Sequence, residues 1–139
     1  MRLRAPLALA VQVALGAATV MARADSDGGL VAPTLRCEHV ADPGRVPCEV
    51  EARAEAGESI AWGDVVLLRT PVFTTALRGR IGPQDTSVRE PTLWRWRFAL
   101  VARQRGSGDL SGRVRMVVCR GDSCATREVE VAAKIEVGP

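Results

Sequence analysis

From Leu110 to Val137 the chain alternates twice, and no other stretch narrows its fold so far. In the second half Val129, Val131, Ala133, Ile135 and Val137 take one side, and Glu128, Glu130, Lys134 and Glu136 the other. That is the period of a half-buried strand, because successive strand side chains point to opposite faces. In the first half Val114, Met116 and Val118 alternate with Arg113 and Arg115. Folding the halves about Arg120-Gly-Asp-Ser123 sets Cys119 opposite Cys124. Arg115 then faces Glu128, Arg113 faces Glu130, and Val114 faces Val129. A slip of one residue would break the charge and apolar matches together. The sequence therefore predicts a β-hairpin with a disulfide across its mouth.

The chain before it reads in the same way. Cys48, Val50, Ala52 and Ala54 alternate with Glu49, Glu51, Arg53 and Glu55. Trp94, Trp96, Phe98 and Leu100 alternate with Arg95 and Arg97. Ser59 to Arg69 is apolar enough for a central strand, or one with a bulge near Gly63-Asp64. A first short strand is expected from Thr34 to His39, and an edge strand from Val72 to Leu77. Arg78 to Pro91 carries Gly79, Gly82-Pro83, Gln84-Asp85 and Pro91, and is expected to be the longest irregular segment. About seven strands at intervals near ten residues predict an all-β fold. Its expected type is an immunoglobulin-like antiparallel β-sandwich.

The first residues belong to targeting. Met1-Arg-Leu-Arg4 is basic, Pro6 to Met21 is apolar, and Ala22-Arg-Ala24 suits a signal peptidase. Residues 1–24 read as a signal peptide, 25–33 as a flexible tail, and 34–139 as the sandwich domain. Arg2, Arg4 and Arg23 leave with the signal, which takes Lys plus Arg from 19 to 16 against 16 acidic residues. The mature chain is neutral, so the basic isoelectric point of the whole chain gives no reason to expect nucleic acid or, after cleavage, a membrane as partner. Export also favours disulfides over free thiols for the four cysteines.

Those four allow three connectivities. A local scheme joins Cys37 to Cys48 and Cys119 to Cys124. A rival joins Cys48 to Cys119 across the sheets, with Trp62 between them as in immunoglobulin domains, and leaves Cys37 for Cys124. Facing favours the local scheme. Cys48 shares the apolar side of Val50, whereas Cys119 shares the side of Arg113 and Arg115. The tyrosine expected two residues before the second immunoglobulin cysteine is Val117 here. The Cys119–Cys124 pair should thus point outward together, as a staple or as a redox pair.

The run Val114-Arg-Met-Val-Val-Cys119, four residues, Cys124, then alternating valines resembles the immunoglobulin-like periplasmic domain of DsbD-type thiol–disulfide interchange proteins. The likeness covers about the last thirty residues. It implies thiol–disulfide exchange through Cys119 and Cys124, with periplasmic electron-transfer partners.

Other patterns carry less. Arg120-Gly-Asp122 between two cysteines resembles the loop of integrin ligands, with Arg120 and Asp122 as the binding residues; a turn made of turn residues explains it as well. Cys37-Glu-His39 with Cys48 fits no closed zinc spacing. His39 is the only histidine, so no Ser–His–Asp triad can form. Trp94 to Arg97 is better explained as a core face backed by arginines than as a stacking platform for a sugar or peptide. No carboxylate pair suggests acid–base work. The expectation is an exported, non-enzymatic binding or accessory module, periplasmic or secreted, with a protein partner and without cofactor or metal. Its contacts are expected on segment 78–91 and on the Cys119–Cys124 tip. The second expectation is a thiol–disulfide relay through that pair.

Overall fold

The computed structural model describes residues 30–139. The expected signal peptide, 1–24, lies outside the described residues. Nine strands follow in order among the described residues: β1 Leu30–Cys37, β2 Gly44–Ala54, β3 Ser59–Arg69, β4 Thr74–Ala76, β5 Arg80–Ile81, β6 Thr86–Glu90, β7 Leu93–Ala102, β8 Gly106–Arg120 and β9 Ser123–Val137. One 3₁₀ turn, Pro83–Asp85, precedes β6. The first sheet runs β1-β2-β7-β4, with β6 also paired to β7, and the second runs β5-β3-β8-β9. Every named pairing is antiparallel. With β6 as strand D and β5 as C′, the sheets have the A-B-E-D and C′-C-F-G orders of an immunoglobulin-like sandwich, and β4 is an extra short strand on β7.

The alternation seen in the sequence fills the space between the sheets. Val46, Cys48, Val50 and Ala52 of β2 are buried, as are Trp94, Trp96 and Leu100 of β7. Leu110, Val114, Met116 and Val118 of β8 and Ile135 of β9 meet them from the other layer. Trp94 and Trp96 pack with ring centroids 5.7 Å apart at 53°. In a chain without tyrosine these two rings supply most of the aromatic bulk. Burying each is worth roughly 4–6 kcal/mol before ordering costs, taking about 25 cal/mol per Å² of a large aromatic. The outer face of the first sheet is ionic: Arg97 sits opposite Glu49 and Arg95 opposite Glu51, with N–O distances of 3.0 and 2.6 Å.

Three expectations need correction. The first strand begins at Leu30, inside the segment 25–33 read as a tail; residues 25–29 lie outside the described residues. Pro33 does not break it, because β1 is an edge strand and its register shifts between Val31 and Thr34. The segment 78–91 is not an irregular loop. It holds β5, the 3₁₀ turn and β6, and carries the chain from the second sheet to the first. Gly82 and Asp85 tie it down: the Gly82 N–H donates to Asp85 Oδ2 at 2.9 Å, and Trp96 Nε1 donates to the Gly82 carbonyl at 3.2 Å. The strand count rises to nine because such short pieces, two or three residues in β5 and β4, carry no periodic signal.

Candidate functional site

The surface that brings most of the distinctive chemistry together is the outer face of the second sheet below the hairpin tip. It begins with the predicted register. Cys119 pairs with Cys124, Arg115 with Glu128, Arg113 with Glu130 and Val114 with Val129. The strands run further than expected, to Arg120 and Ser123, so only Gly121 and Asp122 form the turn. Gly121 has φ +57°, and among the described residues no non-glycine has positive φ. Glycine at the first of two central positions is the requirement of a type II′ hairpin turn.

Both disulfides are local. Cys37 is joined to Cys48 and Cys119 to Cys124, each between residues directly opposite on neighbouring strands. Two such bonds mark a chain that matures in an oxidising compartment. Cys48 is only 4% exposed and packs in the core. Cys124 is exposed and Cys119 half-buried, on the outer side. With Cys37 and Cys48 bonded, their sulfurs are not offered to a metal, and His39 Nε2 donates to the Gly138 carbonyl at 2.6 Å.

Below the tip lies the bulge of β3, at Ala61 rather than near Gly63-Asp64. In β3 the register shifts between Ile60 and Trp62. Ile60 pairs with Val118 and Trp62 with Val117, which leaves Ala61 as an extra residue. Without that bulge Trp62 would face inward, as the strand-C tryptophan of immunoglobulin domains does. With it Trp62 joins the outer face and Gly63 turns inward beneath Trp96. Trp62 is half-buried beside Val117, and the Arg115 guanidinium carbon is 6.0 Å from its ring centroid. The next row down is charged. Asp64 has no solvent exposure although it sits on an outer face. Arg115 covers it, donating Nε to Oδ1 at 2.8 Å and Nη2 to Oδ2. Arg80 of β5 donates to Oδ2 from the other side at 2.6 Å.

Burial opposes ionisation of Asp64. The hydrogen bonds from Arg115 and Arg80, with their charges, outweigh it and hold the carboxyl below its ordinary range. The same contact raises Arg115. A carboxylate locked this way is no general base near neutral pH, when such a base needs an acidity close to the working pH. It is a clamp that fixes Arg115 under Trp62.

The other candidate residues sit around this face. Arg120 leans back from the tip, with Nη2 3.2 Å from Oε1 of Glu58, whose other oxygen is buried without a partner among the described residues. Asp122 is exposed at the turn. Arg120 is paired with Glu58 of the 55–58 turn and its side chain remains 63% exposed. Trp94 and Trp96 are 2% and 0% exposed, so neither is a stacking platform. Among the described residues no cluster of three or more His, Cys, Asp or Glu is placed to hold a metal. No local pattern in the sequence marks Trp62 or Asp64 as site residues. The run Ile60 to Leu68 reads as continuous core, and the partners of Asp64 lie 16 and 51 residues away.

No family model matches the chain, and no curated protein matches it. Among solved structures it is similar to BslA, described as a bacterial hydrophobin, at 9% identity and a TM-score of 0.40; the alignment covers 81% of this chain and 97% of that one.

Proposed function

We propose that the chain is an exported, non-enzymatic binding module of the periplasm or cell exterior, and that a protein partner docks on the outer face of the second sheet around Trp62. The observation that carries this is the bulge at Ala61. A one-residue insertion places the chain's third tryptophan outside the core, on a face shared with Val117, Thr126 and the clamped Arg115. Tryptophan and arginine are the residues most often found to dominate binding energy at interfaces. Arg115 is held in place by Asp64, so little side-chain entropy is lost when a partner covers it. The test places a photo-cross-linking residue at Thr126 in the exported protein. A cross-linked species that Trp62→Ala abolishes and Leu77→Ala leaves intact supports the reading. One that survives Trp62→Ala, or none at all, overturns it.

A second reading has one observation in its favour. The Cys119–Cys124 bond lies at the outer end of the hairpin with Cys124 exposed, so a partner thiolate can reach it. Attack on one sulfur would release the other as a thiolate and form a mixed disulfide. The partner's second thiol would then resolve it, leaving the partner oxidised and this pair reduced. A redox titration decides: a potential below about −300 mV belongs to a structural staple, and a more oxidising one to a relay.

A further inference from the structure

The outer face of the first sheet carries a trough whose origin can be traced to one residue. Pro47 lies within β2, between two neighbouring strands, and has no N–H. The Glu38 N–H donates to the Pro47 carbonyl at 2.9 Å, but Pro47 cannot return the second bond of an antiparallel pair. There β1 ends, at Cys37, and the chain leaves for the second sheet, where Val40 bridges to Val137. The residue opposite Pro47 on β7 is the small Ala99. The departed neighbour leaves a depression of about 560 Å³ beside Pro47, between Arg36, Arg45 and Arg97. A second of about 290 Å³, past Ala99 toward Leu77, shares Arg45 and Arg97 with it.

The walls are basic in an uneven way. Arg36, Glu49 and Arg97 form one row across three strands, and Arg45 stands at the other side of Pro47. Arg97 is engaged by Glu49 at 3.0 Å. Arg36 and Arg45 are exposed, and neither has an ion-pair or hydrogen-bonding side-chain partner among the described residues. Elsewhere on these sheets arginine is mostly spent on a carboxylate: Arg53, Arg80, Arg95, Arg113 and Arg115 all are. Glu38 is the one uncommitted acid at the rim. Two unspent guanidiniums on either side of a proline floor suit carboxylates, which arginine binds through paired N–H groups.

We propose that this trough binds an extended acidic peptide segment of a protein partner, with Arg36 and Arg45 receiving its carboxylates and Pro47 and Ala99 forming the floor. The site is separate from the Trp62 face and does not depend on it.

The test titrates ¹⁵N-labelled mature protein with octaglutamate, octaglutamine and oligogalacturonate, following backbone amides by NMR. Octaglutamate should shift residues 36–38, 45–49 and 97–99, and should bind at least tenfold more weakly in 200 mM than in 20 mM NaCl. Arg36→Gln with Arg45→Gln should weaken binding at least tenfold while the spectrum stays dispersed. Glu38→Gln should tighten it about twofold or more, a gain that no loss of fold can imitate. Trp62→Ala should leave it unchanged. The proposal is overturned by shifts elsewhere, by equal binding of octaglutamine, by indifference to the double arginine change, or by tighter binding of oligogalacturonate at the same residues.

Discussion

Gly63 and Trp96 occupy adjoining space in the core: a Cβ built on Gly63 would lie 3.1 Å from Cζ2 of Trp96 and 3.2 Å from Cη2. The bulge at Ala61 turns Gly63 inward, and the absence of a side chain there lets the β7 tryptophan reach across to β3. One residue of register thus decides which tryptophan is core and which is surface.

Gly63→Ala should therefore destabilise by about 1–3 kcal/mol, the usual cost of overpacking a filled site. Trp96→Phe removes the atoms that collide. In that background the added methyl should cost less than it does in the wild type, although Trp96→Phe alone loses the hydrogen bond to the Gly82 carbonyl. Urea midpoints of the four proteins give the coupling. Simple additivity would show that the two residues do not share this space.

Much of the fold was legible because two independent signals coincided. In the hairpin, charge matching and apolar alternation allow one register, and Arg113 and Glu130 do pair at 3.1 Å. Arg115 kept its predicted place opposite Glu128 but took Asp64 as partner, since a buried carboxylate needs a donor more than an exposed one does. The cysteine facing was legible for the same reason of period. Trp62 was not, because a bulge adds one residue without changing the composition of the run. Nor was the order in segment 78–91, which comes from contacts such as Trp96 to Gly82 that no local pattern announces. The trough over Pro47 needed knowledge of which strands flank β2.

Asp64 sets part of the pH dependence of stability. Its folded pKa lies below the ordinary carboxylate range, so its contribution is fully present above about pH 4 and is lost as pH falls through the folded value. Glu51, hydrogen-bonded by Arg95, and Asp85, hydrogen-bonded by the Gly82 N–H, shift in the same direction. Stability should be nearly flat from pH 7 to 5 and fall below pH 4. Asp64→Asn should cost about 2–3 kcal/mol at pH 7, from charge-assisted hydrogen bonds lost at a buried site. It should also make the acid limb shallower without abolishing it. Thermal melts from pH 2 to 7 check both. An unchanged acid limb would mean that Asp64 titrates at its ordinary value.

The two disulfides should separate under mild reductant. Cys124 is exposed, while Cys48 is 4% exposed within the core. A reductant should open Cys119–Cys124 in the folded protein and reach Cys37–Cys48 only through unfolding. Alkylation and mass spectrometry over time would show Cys119 and Cys124 labelled first. Replacing the tip pair with serines should cost about 2 kcal/mol, and replacing Cys37 and Cys48 about 3 kcal/mol, by loop-closure entropy alone. Labelling of all four cysteines together would contradict the difference in exposure.

Tryptophan fluorescence reads the bulge directly. Trp94 and Trp96 are sealed in the core, and Trp62 alone meets solvent. Acrylamide should quench one emitting population of the native protein, the redder one. Trp62→Phe should remove that population, leave a blue, weakly quenched spectrum, and change stability by less than about 1 kcal/mol, because the ring is not part of the filled interior. Trp94→Phe, in contrast, should destabilise more and leave the quenchable component in place. If Trp62→Phe instead left the quenching curve as it was, Trp62 would have to point inward. The register shift at Ala61, and with it the docking face built on that shift, would then fall together.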